Sequence, residues 1–255
     1  VITGVTGGVG RALAARFSAL GWYVIGLARN IEKLHELVDS IKENFMFIEV
    51  DIMNEESVAR AFNDIDSKNV NIDILVNTAA SFKSKEFVKC SFQDINTIID
   101  TNLKGVMYAT LEAIKVMKKS DNSSRVVNIG SVASIHGIEN QAIYCASKFG
   151  LNGFSEALNQ EIIRHNISIT TLFPGGIDTP LWNESNPYPG GNTSALLNAK
   201  DIVDIVEMFL RNKKRICYGG TAINNILPIN DQFYNKDVEL PDYDFYSIAY
   251  LILCL

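Results

Sequence analysis

Short runs of β-branched and aromatic residues alternate along this chain with stretches whose apolar side chains recur three and four positions apart. The runs are WYVIGLA (22–28), FMFIEV (45–50), IDILVN (72–77), RVVNIG (125–130), ISITTLF (167–173) and RICYGG (215–220). Nearly unbroken apolar runs of this length are the pattern of strands covered on both faces, as in a parallel sheet. The stretches between them predict helices. Val9, Leu13, Phe17 and Leu20 form one stripe, stopped by Gly21. A second helix spans 31–42, and a third starts near Glu55 with Val58, Ala61 and Phe62 inward. The pattern from Phe92 to Lys118 reads as one long helix. A fifth contains AIYCASKFG (142–150) and runs to about Arg164, and a sixth covers Lys200 to Leu210. Strand and helix in repeated alternation predict an α/β fold, a doubly wound parallel sheet with right-handed crossovers. Residues 1–227 read as one domain. Residues 228–255 form a C-terminal extension that the rhythm does not explain.

Composition narrows the partners. The net charge of −6 gives no basic footprint for a phosphate backbone, so nucleic acid is not expected. Cys90, Cys145, Cys217 and Cys254 are far apart, without a CxxC or a nearby His pair. They predict reduced thiols and a cytoplasmic setting, with no metal site. The chain opens VITG, with no Met and only two apolar residues before the first glycine. A strand usually takes about five or six residues, so residues are expected before Val1, any targeting signal among them. The apolar end SIAYLILCL is too short for a bilayer, which takes about 20 residues.

Three local patterns suggest chemistry. Gly4, Gly8 and Gly10 stand where the first strand turns into the first helix. There glycine permits positive φ and lets a pyrophosphate approach bare N–H groups. The spacing is TGxxxGxG, not GxGxxG. At the end of the second strand, Ala28 takes the place where an NAD site usually has a carboxylate, and Arg29 follows. An arginine attracts a 2′-phosphate, which favours NADP(H) over NAD(H), and Arg11 is a candidate second cation. Tyr144 and Lys148, four apart on a helix, share a face.

Together these pieces resemble the classical short-chain dehydrogenase/reductases, from Ile2 to about Leu210. The resemblance rests on TGVTGGVG (3–10), VDI (50–52), NTAA (77–80), TNLKG (101–105), NIGS (128–131), YCASK (144–148) and PGGIDTP (174–180), in that order and at those intervals. Thr78 and Ala80 depart from it, standing where the family has a second Asn and a Gly. The resemblance implies a Rossmann-like fold and hydride transfer between a nicotinamide and a carbonyl or secondary alcohol. It makes Asn102, Ser131, Tyr144 and Lys148 the catalytic set. Tyr144 would supply the proton, with Lys148 lowering its pKa and holding the nicotinamide ribose. Ser131 would steady the substrate oxygen, and Asn102 would hold a relay water. The implied cofactor contacts are Gly4, Thr6, Gly8, Val9, Gly10, Arg29, Asp51, Ile52, Asn77, Ala79, Tyr144, Lys148, Pro174, Gly175, Ile177 and Thr179, with Asp51 against the adenine. Ser131, Tyr144 and Trp182 would meet substrate. Trp182 and Tyr188 either line an apolar pocket or pin the loop that follows the sixth strand. His136 reads as a surface histidine or a group at the mouth of the site. Relatives of this kind assemble as homodimers or homotetramers through the long helix and the Tyr144 helix. A catalytically silent NADP-binding sensor or scaffold protein of the same fold is the competing reading, against which the complete Asn-Ser-Tyr-Lys set weighs.

Overall fold

The computed structural model describes residues 1–183, 186–189, 196–211 and 221–223. Its strands are β1 (Ile2–Thr3), β2 (Val24–Ala28), β3 (Phe45–Glu49), β4 (Ile74–Asn77), β5 (Ser124–Ile129), β6 (Ile167–Pro174), β7 (Ile177–Asp178), β8 (Leu197–Asn198) and β9 (Thr221–Ile223). The helices are α1 (Gly8–Ala19), α2 (Ile31–Ile41), α3 (Glu55–Ser67), α4 (Phe92–Ile99), α5 (Gly105–Met117), α6 (Ala142–Ile162) and α7 (Ala199–Arg211). Seven strands form one sheet in the order β3-β2-β1-β4-β5-β6-β9, and β7 pairs with β8 in a small second sheet. Every pairing between these described strands is parallel. The fold is Rossmann-like.

The unbroken apolar runs have a direct cause. Successive strand residues point to opposite faces, and both faces are covered. Val24, Val76 and Val127 pack with Leu13, Phe17, Leu34 and Phe209 on the side of α1, α2 and α7. Ile25, Leu75 and Val126 pack with Val58, Phe62, Ala113 and Met117 on the side of α3 and α5. A polar seam crosses this apolar body. The Thr3 hydroxyl donates to Asn77 Oδ1, and Asn77 Nδ2 donates to Asn128 Oδ1 at 2.9 Å. Asn128 Nδ2 donates to Ser155 Oγ on α6 at 2.9 Å. Four side chains from β1, β4, β5 and α6 are thus joined in sequence, and a buried polar group left out would cost about 1–3 kcal/mol.

Several expectations need correction. Leu20 is 40% exposed, because it caps the C-terminus of α1 beyond the last core-facing turn. Trp22 and Tyr23 precede β2, where the chain is still returning from Gly21. The long helix is interrupted by a π-helical turn at Asp100–Lys104, between α4 and α5. That turn carries Asn102, which is fully buried, and such insertions commonly mark functional sites. RICYGG (215–220) and residues 228–255 lie outside the described residues. The last described strand, β9, runs along β6. Cys90 and Cys145 are free thiols, and Cys217 and Cys254 lie outside the described residues.

Candidate active site

The sheet order reverses between β1 and β4, and a ligand crevice belongs at such a point, beyond the C-terminal strand ends. A cleft of about 1000 Å³ opens there. Its floor is the first strand–helix turn. Gly4 has φ +64°, and a Cβ on it would lie 2.6 Å from the Cα of Ala79. A Cβ on Gly10 would lie 2.5 Å from the Gly4 carbonyl oxygen, and one on Gly8 would lie 2.7 Å from Thr179 Cγ2. Side chains are excluded at all three positions, so bare backbone faces the cleft. The N-terminus of α1 has neither a side-chain cap nor an acidic residue in its first turn, which leaves its N–H groups to an anion.

Gly4, Thr6, Gly8, Val9, Gly10, Arg29, Ile52, Ala79, Pro174, Gly175, Ile177 and Thr179 line this cleft, as do Ser131, Tyr144, Lys148 and Trp182. Asp51, Asn77 and Asn102 do not. Asp51 accepts from the Met53 N–H at 3.0 Å, with its carboxylate 4.0 Å from the Arg29 guanidinium. Asn77 is spent in the polar seam. Arg11 turns to Glu36 on α2 at 3.7 Å instead of to the cleft. Lys33, in the first turn of α2, lines the cleft with Arg29. The sequence showed Lys33 only as one more helical lysine, although its place just past the second strand was a signal.

Ser131 follows β5, and Tyr144 and Lys148 come from the first two turns of α6. Ser131 Oγ accepts from the Ala133 N–H at 3.1 Å, and its hydroxyl acts on the Tyr144 phenol to lower its pKa. Burial pushes that phenol up to about 12, against the pull of Ser131. The expected lowering by Lys148 is therefore not found. The Lys148 ammonium donates to the Ile129 carbonyl at 2.8 Å and lies 5.6 Å from the Tyr144 ring centroid. Burial brings the lysine down to about 8. Asn102 acts at one remove from the cleft. Its Oδ1 accepts from the Ser81 N–H at 2.7 Å, and its Nδ2 donates to the Ser81 carbonyl at 2.8 Å and to Ser147 Oγ at 3.1 Å. The Ser147 hydroxyl in turn donates to the Tyr144 carbonyl at 2.7 Å. The π-helical turn thereby ties the segment after β4 to α6. His136 is exposed and outside the cleft lining.

The far end of the cleft is aromatic. Phe82 meets Tyr144 edge to face at 4.8 Å between centroids, Trp182 meets Phe82 at 5.0 Å, and Tyr188 meets Trp182 at 5.1 Å. Trp182 both lines the cleft and pins the loop, because its indole N–H donates to the Ile177 carbonyl at 2.7 Å. Phe82 was missed in the sequence, where one phenylalanine after a strand carries no signal of its partners. Among the described residues no group of His, Cys, Asp and Glu is placed to hold a metal ion, and no helix is long and apolar enough to cross a membrane.

Comparison with known proteins agrees with this geometry. A family model described as short chain dehydrogenase matches residues 1–189. The chain belongs to the short chain dehydrogenase family. The 3-oxoacyl-[acyl-carrier-protein] reductase FabG of Rickettsia typhi is 34% identical over 186 residues, covering 73% of this chain and 75% of that protein. The 3-oxoacyl-[acyl-carrier-protein] reductase of Bos taurus is 31% identical over 185 residues, covering 72% and 78%. Among solved structures, actinorhodin polyketide ketoreductase with NADPH matches with a TM-score of 0.78 at 21% identity, covering 88% of this chain and 95% of that one. Serine dehydrogenase from Escherichia coli matches with a TM-score of 0.75 at 26% identity, covering 87% and 95%. A second family model, described as poly(A) polymerase catalytic subunit, matches residues 204–253. That match begins inside α7 and runs to residue 253, mostly outside the described residues.

Short chain dehydrogenases are oxidoreductases that use a nicotinamide cofactor. The residues present fit such a group: a long cleft, a glycine floor that admits backbone contact, an uncapped helix N-terminus and two cations at one end.

The buried lysine makes the stability of this dehydrogenase depend on pH. Between about 8 and 10.5 the unfolded chain holds a proton on Lys148 that the folded chain has released. The unfolded state then binds more protons, so stability rises with pH. Above 10 the raised Tyr144 acts in the opposite sense. From pH 8 to 10 the unfolding free energy of the parent should therefore gain on that of Lys148→Met, by up to about 1.4 kcal/mol per pH unit. Urea titrations of both proteins measure it, and parallel pH profiles would remove Lys148 as the source.

Proposed function

We propose that the protein is an NADP(H)-dependent reductase or dehydrogenase acting on a carbonyl or secondary alcohol. The observation that carries this reading is the convergence of Ser131, Tyr144 and Lys148 on one cleft whose other end has a glycine floor and the cations Arg29 and Lys33. The bound nicotinamide would supply or accept the hydride. Gly4, Gly8, Gly10 and the start of α1 would hold its pyrophosphate, Arg29 and Lys33 its 2′-phosphate, and Lys148 its ribose. Pro174, Gly175, Ile177 and Thr179 would border its nicotinamide end.

The phenol of Tyr144 carries its proton at neutral pH, which suits a general acid for carbonyl reduction. Ser131 Oγ holds the substrate oxygen and stabilises the negative charge that develops on it. Lys148, protonated near neutrality and held on the Ile129 carbonyl, brings a positive charge to the cleft beside Tyr144, where it would meet the nicotinamide ribose. Asn102 serves in this reading as a positioning residue, because both ends of its amide are engaged with Ser81 and Ser147. Phe92, Leu111 and Phe149 are exposed apolar side chains on α4, α5 and α6, the helices expected between subunits. They support a homodimer or homotetramer.

Three measurements test the reading. Tyr144→Phe should lower turnover by about 10²–10⁴ while NADPH affinity stays close to the parent. Turnover within about threefold of the parent would leave the silent NADP-binding reading. Arg29→Asp should weaken NADPH by about tenfold or more and spare NADH, since a hydrogen bond to a charged group contributes about 1.5–3 kcal/mol and this guanidinium is largely exposed. Equal effects on both cofactors, by calorimetry, would place Arg29 outside the phosphate site. Light scattering at micromolar concentration should give a dimer or tetramer, and a monomer would refute the assembly.

A further inference from the structure

We propose that the far end of the cleft selects neutral, flat, apolar carbonyl compounds, such as aryl ketones, and that Phe82 sets this selection. The proposal rests on the reductase reading above and goes beyond it to the substrate.

The cleft is divided by chemistry. Its cations, Arg29 and Lys33, lie at the end of β2 and the start of α2, beside the glycine floor. Beyond Tyr144 the described lining includes the apolar Phe82, Ile138, Leu181, Trp182, Tyr188 and Pro189, with Ser84, Asn140 and Gln141 as neutral polar groups and Glu139 as an exposed carboxylate. The Lys148 ammonium is committed to the Ile129 carbonyl. A substrate carboxylate at this end would meet the negative charge of Glu139, and its one cationic neighbour among the described lining residues, Lys148, is held by the Ile129 carbonyl. Enclosing an unpaired anion is costly, so this end disfavours acids.

The shape of the wall favours rings. Tyr144, Phe82, Trp182 and Tyr188 stand in successive edge-to-face contacts with interplanar angles of 80°, 79° and 68°. The indole N–H of Trp182 is already satisfied within the loop, so its ring offers apolar surface and no donor. Phe82 touches both the proton donor and the pocket wall. It also follows Ser81, whose backbone N–H and carbonyl are both clamped by Asn102. Phe82 is therefore held at its backbone as well as by its neighbours, which suits a pocket built in advance for a rigid ring. An aromatic substrate would extend the run of edge-to-face or offset contacts that already exists. A linear acyl chain would cover less of the wall and lose more rotational freedom on binding.

The test uses the full chain with 2-acetylnaphthalene, acetoacetate and a linear 3-oxoacyl N-acetylcysteamine thioester. Calorimetry measures binding of each to the NADP⁺-loaded protein, and NADPH absorbance measures kcat/KM. The aryl ketone should exceed the other two by about tenfold or more in both. Phe82→Ala should reduce that preference by at least about tenfold, and Phe82→Leu, which keeps bulk and removes the ring, should fall between. Circular dichroism and NADPH affinity check that both variants are folded. Preference for acetoacetate or the thioester, or a preference unmoved in both folded variants, overturns the proposal and leaves the reductase reading standing. Phe82-dependent binding of the aryl ketone without reduction of any carbonyl supports the wall and overturns the reductase reading. Neither binding nor reduction of the aryl ketone overturns the wall, and reduction of the other compounds then decides the reductase reading.

Discussion

The site depends on how closely two turns can approach. Gly4, at the end of β1, lies against Ala79, which follows β4, with no room for a side chain between them. Gly10 lies as tightly on the Gly4 carbonyl. This contact brings the start of α1 over the point where the sheet changes its direction of winding. A glycine floor, an uncapped helix terminus and the C-terminal ends of β1, β4, β5 and β6 then share one cleft. A larger residue at Gly4 would push the two turns apart and separate the glycine floor from the strand ends that bear Ser131 and Pro174.

Burial sets the chemistry of the Tyr144 and Lys148 pair. Both are enclosed, and enclosure disfavours the charged form of each: the phenol rises and the ammonium falls. The bare site therefore stores a protonated phenol and a lysine close to its titration point. This differs from the expectation that one helical turn of separation suffices for the lysine to acidify the tyrosine. Helical spacing puts two side chains on a face, but rotamers decide where their ends point. Here the lysine reaches past the ring to the end of β5.

The polar seam and the π-helical turn are the supports of this arrangement. Asn128 and Ser155 attach α6 to the sheet, and Asn102 attaches it to the segment after β4. Each is a buried polar group whose loss of a partner costs more than an ordinary hydrogen bond contributes. They hold the tyrosine helix and the Phe82 segment in one register, so Tyr144 and the aromatic wall form a single surface.

The strand runs, the helical stripes and the glycine turn were legible in the sequence because they rest on period and local backbone chemistry. So was the membership of Ser131, Tyr144 and Lys148 in one site, through their order and intervals. Other features were decided only by the fold. The π-helical turn was invisible, because one inserted residue hardly disturbs an apolar pattern across 27 positions. Asn77 and Asp51 read as cofactor contacts, and only the fold shows the Asn77 side chain bonded across strands and the Asp51 carboxylate accepting from Met53 beside Arg29, just outside the cleft lining. Lys33 replaced Arg11 at the cationic end, since Glu36 on the neighbouring helix draws Arg11 away. Phe82 joined Tyr144 and Trp182 from separate parts of the chain. Sequence determines which side chains a segment carries and which way its backbone repeats. Which of those side chains meet across more than one element is fixed by long-range packing, and in this protein that packing decides protonation and pocket shape.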